Sequence, residues 1–217
     1  MAIETVAIVA QGDMGAGTAG QLVRNGLRVI TNLTGRSKRS LGLAKQAGME
    51  DVGSDAAMIE QADIFLSILP PGQAVALAEQ MAPHIKASGK NIIFADCNAI
   101  APSTAQKAQR IIEAAGGRFV DVGIFGNPPK PDKNGTRYYT SGTDASEFAQ
   151  LQNHGLNIIE CGDEIGRASA IKMCFASVTK TMIAMMAETV VAAKALGVYD
   201  EVIHELSSNQ TDGFNWA

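Results

Sequence analysis

Residues 8–15, Ile-Val-Ala-Gln-Gly-Asp-Met-Gly, decide the fold of this chain. They continue an apolar run that begins at Thr5, and the residues that follow, 16–25, predict a helix that ends at Gly26. Ala10 replaces the first glycine of the G-x-G-x-x-G spacing, while Gly12 and Gly15 keep the other two. A strand, a glycine turn and a helix N-terminus in this order indicate that the turn binds the pyrophosphate of a dinucleotide and does not merely connect the strand to the helix.

The turn itself supplies the first predicted contacts to this dinucleotide. Gly12 lets the backbone approach the pyrophosphate, and Gly15 lets the helix pack closely on the strand. The predicted cofactor-binding residues of the turn are Gly12, Asp13, Met14 and Gly15.

Strand-like and helix-like segments alternate along the first three quarters of the chain. Further strands are predicted at 27–31, 63–69, 91–95, 118–122, 136–141 and 156–160, and helices at 37–47, 73–81, 102–115 and 145–154. This alternation predicts an α/β fold, a Rossmann-type, doubly wound and mainly parallel sheet.

The pattern changes near Cys161. Residues 167–196 contain neither glycine nor proline, and apolar residues recur there at three- and four-residue steps, which predicts one long amphipathic helix before a shorter one at 200–207. We therefore expect a dinucleotide-binding domain at 1–163 and a short all-α C-terminal domain at 164–217. The apolar face of the long helix predicts a homodimer that forms through the C-terminal helices.

Charge and composition narrow the possible partners. The formal net charge is −4, which disfavours nucleic acid, and no unbroken apolar run reaches the length of a membrane span. The N-terminus lacks the basic region of a signal peptide, so a cytoplasmic protein is expected. The three cysteines and three histidines show no metal-ligand spacing, and no metal site is predicted.

The segment after the second strand bears on the choice between NADP and NAD. NAD-binding domains usually carry a carboxylate there for the ribose 2′-hydroxyl, yet none occurs between Asp13 and Glu50. Instead the segment is basic and hydroxylated, with Thr34, Arg36, Ser37, Lys38 and Arg39. Guanidinium and ammonium groups suit a 2′-phosphate, so NADP is preferred over NAD. The alternative is an ordinary solvated helix start.

Five segments carry a resemblance to a known family. They are 8–15 (IVAQGDMG), 69–71 (LPP), 95–102 (ADCNAIAP), 121–126 (DVGIFG) and 166–172 (GRASAIK). In this order they resemble the β-hydroxyacid dehydrogenase family, which includes 6-phosphogluconate dehydrogenase and 3-hydroxyisobutyrate dehydrogenase. The sequence is most similar to a 6-phosphogluconate dehydrogenase-like subgroup in which the stretch at 169–175 (SAIKMCF) opens the long helix.

The resemblance implies roles for individual residues. Lys172 matches the family's general acid/base, and Leu69, Pro70 and Asn98 match positions that contact the cofactor. Asn98 and Ala99, together with the loop residues Ile124, Phe125 and Gly126, match positions that contact a small-molecule substrate. A proton donated by Lys172 would accompany hydride transfer by the nicotinamide.

Three departures from the family pattern bear on the substrate. Many relatives have a serine where Asn98 stands, a hydroxyl where Phe125 stands and an asparagine where Ala176 stands. These changes leave cofactor binding intact but argue against the usual small hydroxyacids. A larger or more apolar substrate would fit better.

Two functions follow from these features. The first is an NADP-dependent oxidoreductase that acts on a β-hydroxy acid or related carbonyl compound, with Lys172 as acid/base. The alternative is a non-catalytic NADP-binding module, a sensor or scaffold. Lys172 favours the enzyme, whereas Phe125, Ala176 and a helical domain that is short for the family favour the module.

Overall fold

The computed structural model describes residues 3–131 and 135–209. The chain divides into two compact units, Met1–Met173 and Cys174–Ala217. The first unit holds one eight-stranded sheet with the order β3-β2-β1-β4-β5-β6-β7-β8. The strands are β1 (Thr5–Val9), β2 (Arg28–Thr31), β3 (Glu50–Asp51), β4 (Ile64–Ser67), β5 (Ile93–Asp96), β6 (Arg118–Phe125), β7 (Arg137–Ser141) and β8 (Asn157–Glu160).

All neighbouring strands pair in parallel except β6 and β7, which are antiparallel. The helices are α1 (Asp13–Arg24), α2 (Lys38–Ala47), α3 (Asp55–Gln61), α4 (Ala74–Ser88), α5 (Pro102–Ala114), α6 (Ala145–Phe148), α7 (Arg167–Leu196) and α8 (Tyr199–Asn209). Short 3₁₀ turns occur at Pro71–Gln73 and Ala149–His154.

The core lies on both faces of the sheet. Along β1, Val6 and Ile8 belong to one buried cluster, while Ala7 and Val9 belong to the other. Helix α1 covers the first cluster through residues such as Leu22, and α4 covers the second through residues such as Met81. A strand covered on both faces is apolar throughout, which explains why β1 reads as a continuous apolar run. The doubly wound, mainly parallel fold predicted from the sequence is confirmed.

Two local predictions were wrong. No strand or helix is predicted for the segment 49–62, but it forms β3 and α3. Ser54 starts α3 by accepting a hydrogen bond from the Ala57 amide at 3.2 Å. Helix α4 continues through the exposed Pro83 to Ser88 instead of ending at residue 81. Buried Ile85 fixes this last turn to the core, and Gly89 at φ 65° ends the helix.

Helix α7 has the predicted bounds, but its apolar residues are not confined to one face. Phe175, Val178 and Leu196, which belong to the apolar residues at three- and four-residue steps, are 50%, 53% and 76% exposed, and Ile183 and Val191, which lie outside that pattern, are 71% and 68% exposed. An 18-residue window of α7 has a mean hydropathy of 1.3 and is 6% buried, so its length and composition would allow it to cross a membrane. Core helices of water-soluble proteins meet the same criterion.

Candidate functional site

The predicted site residues converge on one edge of the sheet in the first unit. The glycine turn follows β1, the basic segment follows β2, Leu69 and Pro70 follow β4, Asn98 and Ala99 follow β5, and Phe125 ends β6. Because these strands are parallel, all of these points lie at their carboxyl ends. That edge is where open α/β sheets bind their ligands.

The glycine turn fits a pyrophosphate. Gly12 is the N-cap of α1, and among the residues that the structure describes no side chain caps the helix there and no atom lies within 4 Å of a Cβ placed on Gly12. A Cβ at Gly15 would clash with the Ala10 carbonyl oxygen, so only glycine lets α1 pack this closely. The N-terminus of α1 therefore has open space beside Gly12, and helix N-termini offer free amides to anions. Met14 is partly buried against the core, so it would offer the cofactor its backbone.

Asp13 and Arg39 form an ion pair across the turn. The Arg39 Nη2 atom donates to both carboxylate oxygens of Asp13, at 2.7 and 2.8 Å, and both side chains are largely exposed. The sequence grouped Arg39 with Arg36 and Lys38. The structure instead holds its guanidinium group against the first residue of α1.

The segment after β2 presents its basic groups to solvent. Arg36 and Lys38 are both exposed. Ser37 caps α2 by accepting a hydrogen bond from the Ser40 amide at 3.2 Å, and the Thr34 hydroxyl donates to the Gly53 carbonyl at 3.1 Å. The two hydroxyls therefore shape the segment, while the two cations remain at the surface beside the end of β2.

Two carboxylates that the sequence analysis missed also lie at the end of β2. Asp51 accepts a hydrogen bond from the Leu33 amide at 3.1 Å, and Asp55 accepts one from the Asn32 side chain at 2.8 Å. Asp55 also accepts one from Gln80 at 2.5 Å. They come from β3 and α3, which the sequence analysis did not predict. These hydrogen bonds engage one oxygen of Asp51 and both oxygens of Asp55 within the protein.

Asn98 joins the ends of β4 and β5. Its Oδ1 accepts from the Leu69 amide at 2.7 Å, and its Nδ2 donates to Ser67 at 2.8 Å and to Asp96 at 3.1 Å. The side chain is buried, and both hydrogens of its amide are used inside the chain. In this structure Asn98 therefore sets where Leu69 lies. Its predicted contact with nicotinamide and substrate stays a prediction.

Lys172 lies over an aromatic ring. Its Nζ atom is 4.7 Å from the centroid of Phe125, whose ring packs against Tyr139 at a centroid distance of 4.8 Å. A Cβ at Gly123 would come within 3.2 Å of the Lys172 Cβ atom, so the glycine permits this close packing of α7 on β6. The structure thus brings the predicted acid/base and the predicted substrate-loop aromatic together.

The neighbours of Phe125 in the substrate loop differ in character. Ile124 is buried in the core cluster on the opposite face of β6, so its side chain is directed away from Phe125. Gly126 is exposed with φ 102°, a conformation that favours glycine. Ala99 is half-buried after β5.

Two buried carboxylates near the site had no assigned role. Asp96 and Asp121 are register partners on β5 and β6 and are fully buried. Burial raises the pKa of Asp96 to about 6, although hydrogen bonds from Asn98 act in the opposite direction. Burial also raises the pKa of Asp121, against hydrogen bonds led by those from Ser169. A single carboxylate within an apolar strand was the sequence signal for both.

A cavity of about 900 Å³ runs beside α1. Its lining includes Gly17 and Pro129, together with two of the predicted site residues, Asp13 and Gly126. Lys172 does not line it.

Comparison with known proteins assigns the fold to a family. The model of the NAD-binding domain of 6-phosphogluconate dehydrogenase matches residues 5–159. A solved structure of a conserved protein of unknown function, described as structurally similar to 3-hydroxyacid dehydrogenases, is 32% identical with a TM-score of 0.76. The match covers 97% of this chain and 78% of that protein.

Two curated relatives align over nearly the whole chain. An uncharacterized 28.5 kDa protein of Methanothermus fervidus is 27% identical over 197 residues, which are 91% of this chain and 74% of the relative. The mitochondrial 3-hydroxyisobutyrate dehydrogenase of Drosophila melanogaster is 25% identical over 219 residues, which are 99% of this chain and 65% of that enzyme.

Proposed function

The chain belongs to the family defined by the NAD-binding domain of 6-phosphogluconate dehydrogenase, and from this premise we propose that it is an NADP-dependent oxidoreductase. Its reaction would be hydride transfer between nicotinamide and a β-hydroxy acid or related carbonyl compound, with Lys172 as general acid/base. The observation that carries the proposal is that Lys172 of α7 packs against β6, with its ammonium over Phe125 at the strand edge that also bears the glycine turn.

The chain's own groups account for binding and proton transfer. The amides of the first turn of α1 would hold the pyrophosphate, and Leu69 and Pro70 would border the nicotinamide. When bound, the cofactor accepts or supplies the hydride. The Lys172 amine takes a proton from the substrate hydroxyl in the oxidation, and its ammonium returns one to the carbonyl oxygen in the reduction.

The preference for NADP rests on Arg36 and Lys38. Both are exposed next to the end of β2, where a 2′-phosphate would add two negative charges beside them. Asp51 and Asp55 already accept hydrogen bonds from protein groups, so their carboxylates are less available to accept one from the ribose 2′-hydroxyl of NAD. NAD remains the less favoured cofactor.

The substrate would be larger or more apolar than a short hydroxyacid. Phe125 occupies the place of a hydroxyl and lies against the Lys172 ammonium. An aromatic ring at this position makes the surroundings of the ammonium more apolar and provides no hydrogen bond to a small carboxylate.

The test is a panel of β-hydroxy acids and their carbonyl counterparts, from short to aromatic, assayed with NADP and NADPH. We expect turnover that Lys172→Ala lowers at least a hundredfold, because a positioned acid/base contributes about 10² to 10⁴ in rate. Lys107→Ala, an exposed lysine on α5, is the matched control and should keep full activity. Undiminished activity of Lys172→Ala would reject the assignment.

The second candidate is a non-catalytic NADP-binding module. It is favoured by Asn98, whose amide hydrogens are both directed to neighbouring protein groups. The same panel distinguishes the two, because a module would bind NADPH tightly and show no turnover with any substrate.

We also propose that the protein is a cytoplasmic homodimer joined through its C-terminal helices. The support is the exposed apolar surface of α7, including Ile183 and Val191. Ile183→Glu with Val191→Glu should shift the mass measured by light scattering from dimer to monomer. A monomeric wild-type chain would reject the homodimer.

A further inference from the structure

We propose that Asp121 is a positioning residue for Lys172, which it holds through the first turn of α7. This rests on the proposed function, in which Lys172 is the acid/base, but it concerns how the lysine is placed. Nothing in the sequence pattern connects the two residues, which lie on different elements.

Asp121 caps the start of α7. Its Oδ2 accepts hydrogen bonds from the Gly166 amide at 3.0 Å and the Ser169 amide at 2.9 Å, and its Oδ1 accepts from the Ser169 hydroxyl at 2.6 Å. Ser141 completes the cap, because its Oγ accepts from the Ala168 amide at 3.1 Å. A buried carboxylate that receives several hydrogen bonds at a helix N-terminus fixes the position and the rotation of the first helical turn.

The strand that carries the cap also carries the contact to the lysine. Asp121, Gly123 and Phe125 are alternate residues of β6 and so share one face, while Val122 and Ile124 are buried in the core on the other. On this face Asp121 accepts hydrogen bonds from the start of α7, and Gly123 leaves room for the backbone of α7 to pack on the strand. The Phe125 ring lies under the Lys172 ammonium group. A single strand face thus defines three points along the first turns of α7.

The dimensions of the two elements agree with this arrangement. The four steps along β6 from Asp121 to Phe125 span about 13 Å. The three helical steps from Ser169 to Lys172 advance about 4.5 Å, and they bring the Lys172 Cβ atom next to Gly123, which lies between Asp121 and Phe125 on the strand. Releasing the cap would let the helix start rotate or shift, and the ammonium would leave the ring.

The experiment observes Lys172 directly, by NMR of the full chain after reductive ¹³C-methylation of its lysines. The methyl signal of Lys172 is assigned by its loss in Lys172→Arg. We expect this signal to be displaced upfield by the ring current of Phe125, and Phe125→Leu should abolish the displacement. Ser169→Ala and Asp121→Asn should abolish or greatly reduce it while Phe125 is still present.

Two further variants separate positioning from general stability. Ser169→Thr keeps the hydroxyl and should restore the displaced signal. Ser54→Ala removes the cap of α3 and should leave the signal unchanged. Should Asp121→Asn fail to fold, Ser169→Ala decides alone. A folded Ser169→Ala protein with the wild-type signal, or a wild-type signal that Phe125→Leu does not alter, would overturn the proposal.

This readout needs no turnover, so the two proposals can fail separately. Loss of the displaced signal in Ser169→Ala, with no activity in any protein, would support the positioning and reject the enzyme. If the wild-type protein is active, Ser169→Ala should lower kcat and leave the Kd of NADPH unchanged. An equal loss of NADPH affinity would instead assign the cap a role in the whole fold and contradict the positioning.

Discussion

The ammonium group of Lys172 lies 4.7 Å above the centre of the Phe125 ring. A cation over an aromatic face is stabilised by the ring quadrupole, and the ring excludes water from one side of it. Phe125 therefore acts on the proposed acid/base and on the space beside it at the same time. A change at this position should alter which substrates are accepted.

We expect Phe125→Ser to shift the substrate preference toward smaller and more polar hydroxyacids. The substitution removes the ring and provides a hydroxyl that can bind a carboxylate. The ratio of kcat/KM for short over aromatic substrates should rise about tenfold or more, which corresponds to roughly 1.4 kcal/mol. Phe125→Leu, which removes the ring without adding a hydroxyl, is the control. If the kcat/KM ratio of Phe125→Ser equals that of the wild-type protein, Phe125 does not determine substrate specificity.

The two glycines of the turn should respond differently to the same substitution. Gly12→Ala adds a methyl group to open space, so the thermal midpoint should change little while NADPH affinity falls, because the methyl group occupies the approach of the pyrophosphate. Gly15→Ala places a methyl group against the Ala10 carbonyl oxygen, so both stability and affinity should fall. Thermal unfolding and NADPH titration of each variant check this. Normal NADPH binding by a stable Gly12→Ala protein would contradict the proposed site.

Asp96 should make the protein more stable at pH 5 than at pH 7. Burial raises its pKa from the ordinary 3.8 to about 6 in the folded state, so the folded chain holds the proton more tightly than the unfolded chain. The free energy of unfolding therefore rises as pH falls through 6, by about 1 kcal/mol between pH 7 and pH 5. The raised pKa of Asp121 acts in the same direction.

Urea unfolding at pH 7, 6 and 5 measures this effect. The lowered pKa values of Glu50 and Glu147 act in the opposite direction, but mainly below their ordinary value of 4.5, outside this range. Asp96→Asn should lose much of the pH dependence. A free energy of unfolding that is constant or falls from pH 7 to pH 5 would show that the buried carboxylate does not titrate as stated.

Local patterns were sufficient for much of the fold. The glycine turn and the long helix at 167–196 each depend on residues that are close together in the sequence. The structure has both of them where the sequence predicted them. The segment 49–62 was missed because its two-residue strand is too short for a periodic signal and its helix depends on one serine cap.

The site required contacts that no local pattern contains. The hydrogen bonds of Asp121 with Ser169 join residues 48 positions apart, and the ion pair of Asp13 with Arg39 joins residues 26 positions apart. The carboxylates near the end of β2 come from the next strand and helix. The sequence predicted the residue types of the site, but the division between groups that face a ligand and groups that hold the protein together depends on tertiary packing.

The most direct test is a fluorescence titration of the wild-type chain with NADPH and NADH. We predict that NADPH binds at least about tenfold more tightly, and that Arg36→Ala with Lys38→Ala reduces its affinity to that of NADH without changing NADH binding. Lys45→Ala, at the other end of α2, should leave both affinities unchanged. Equal affinities for NADPH and NADH in the wild-type protein would contradict the account.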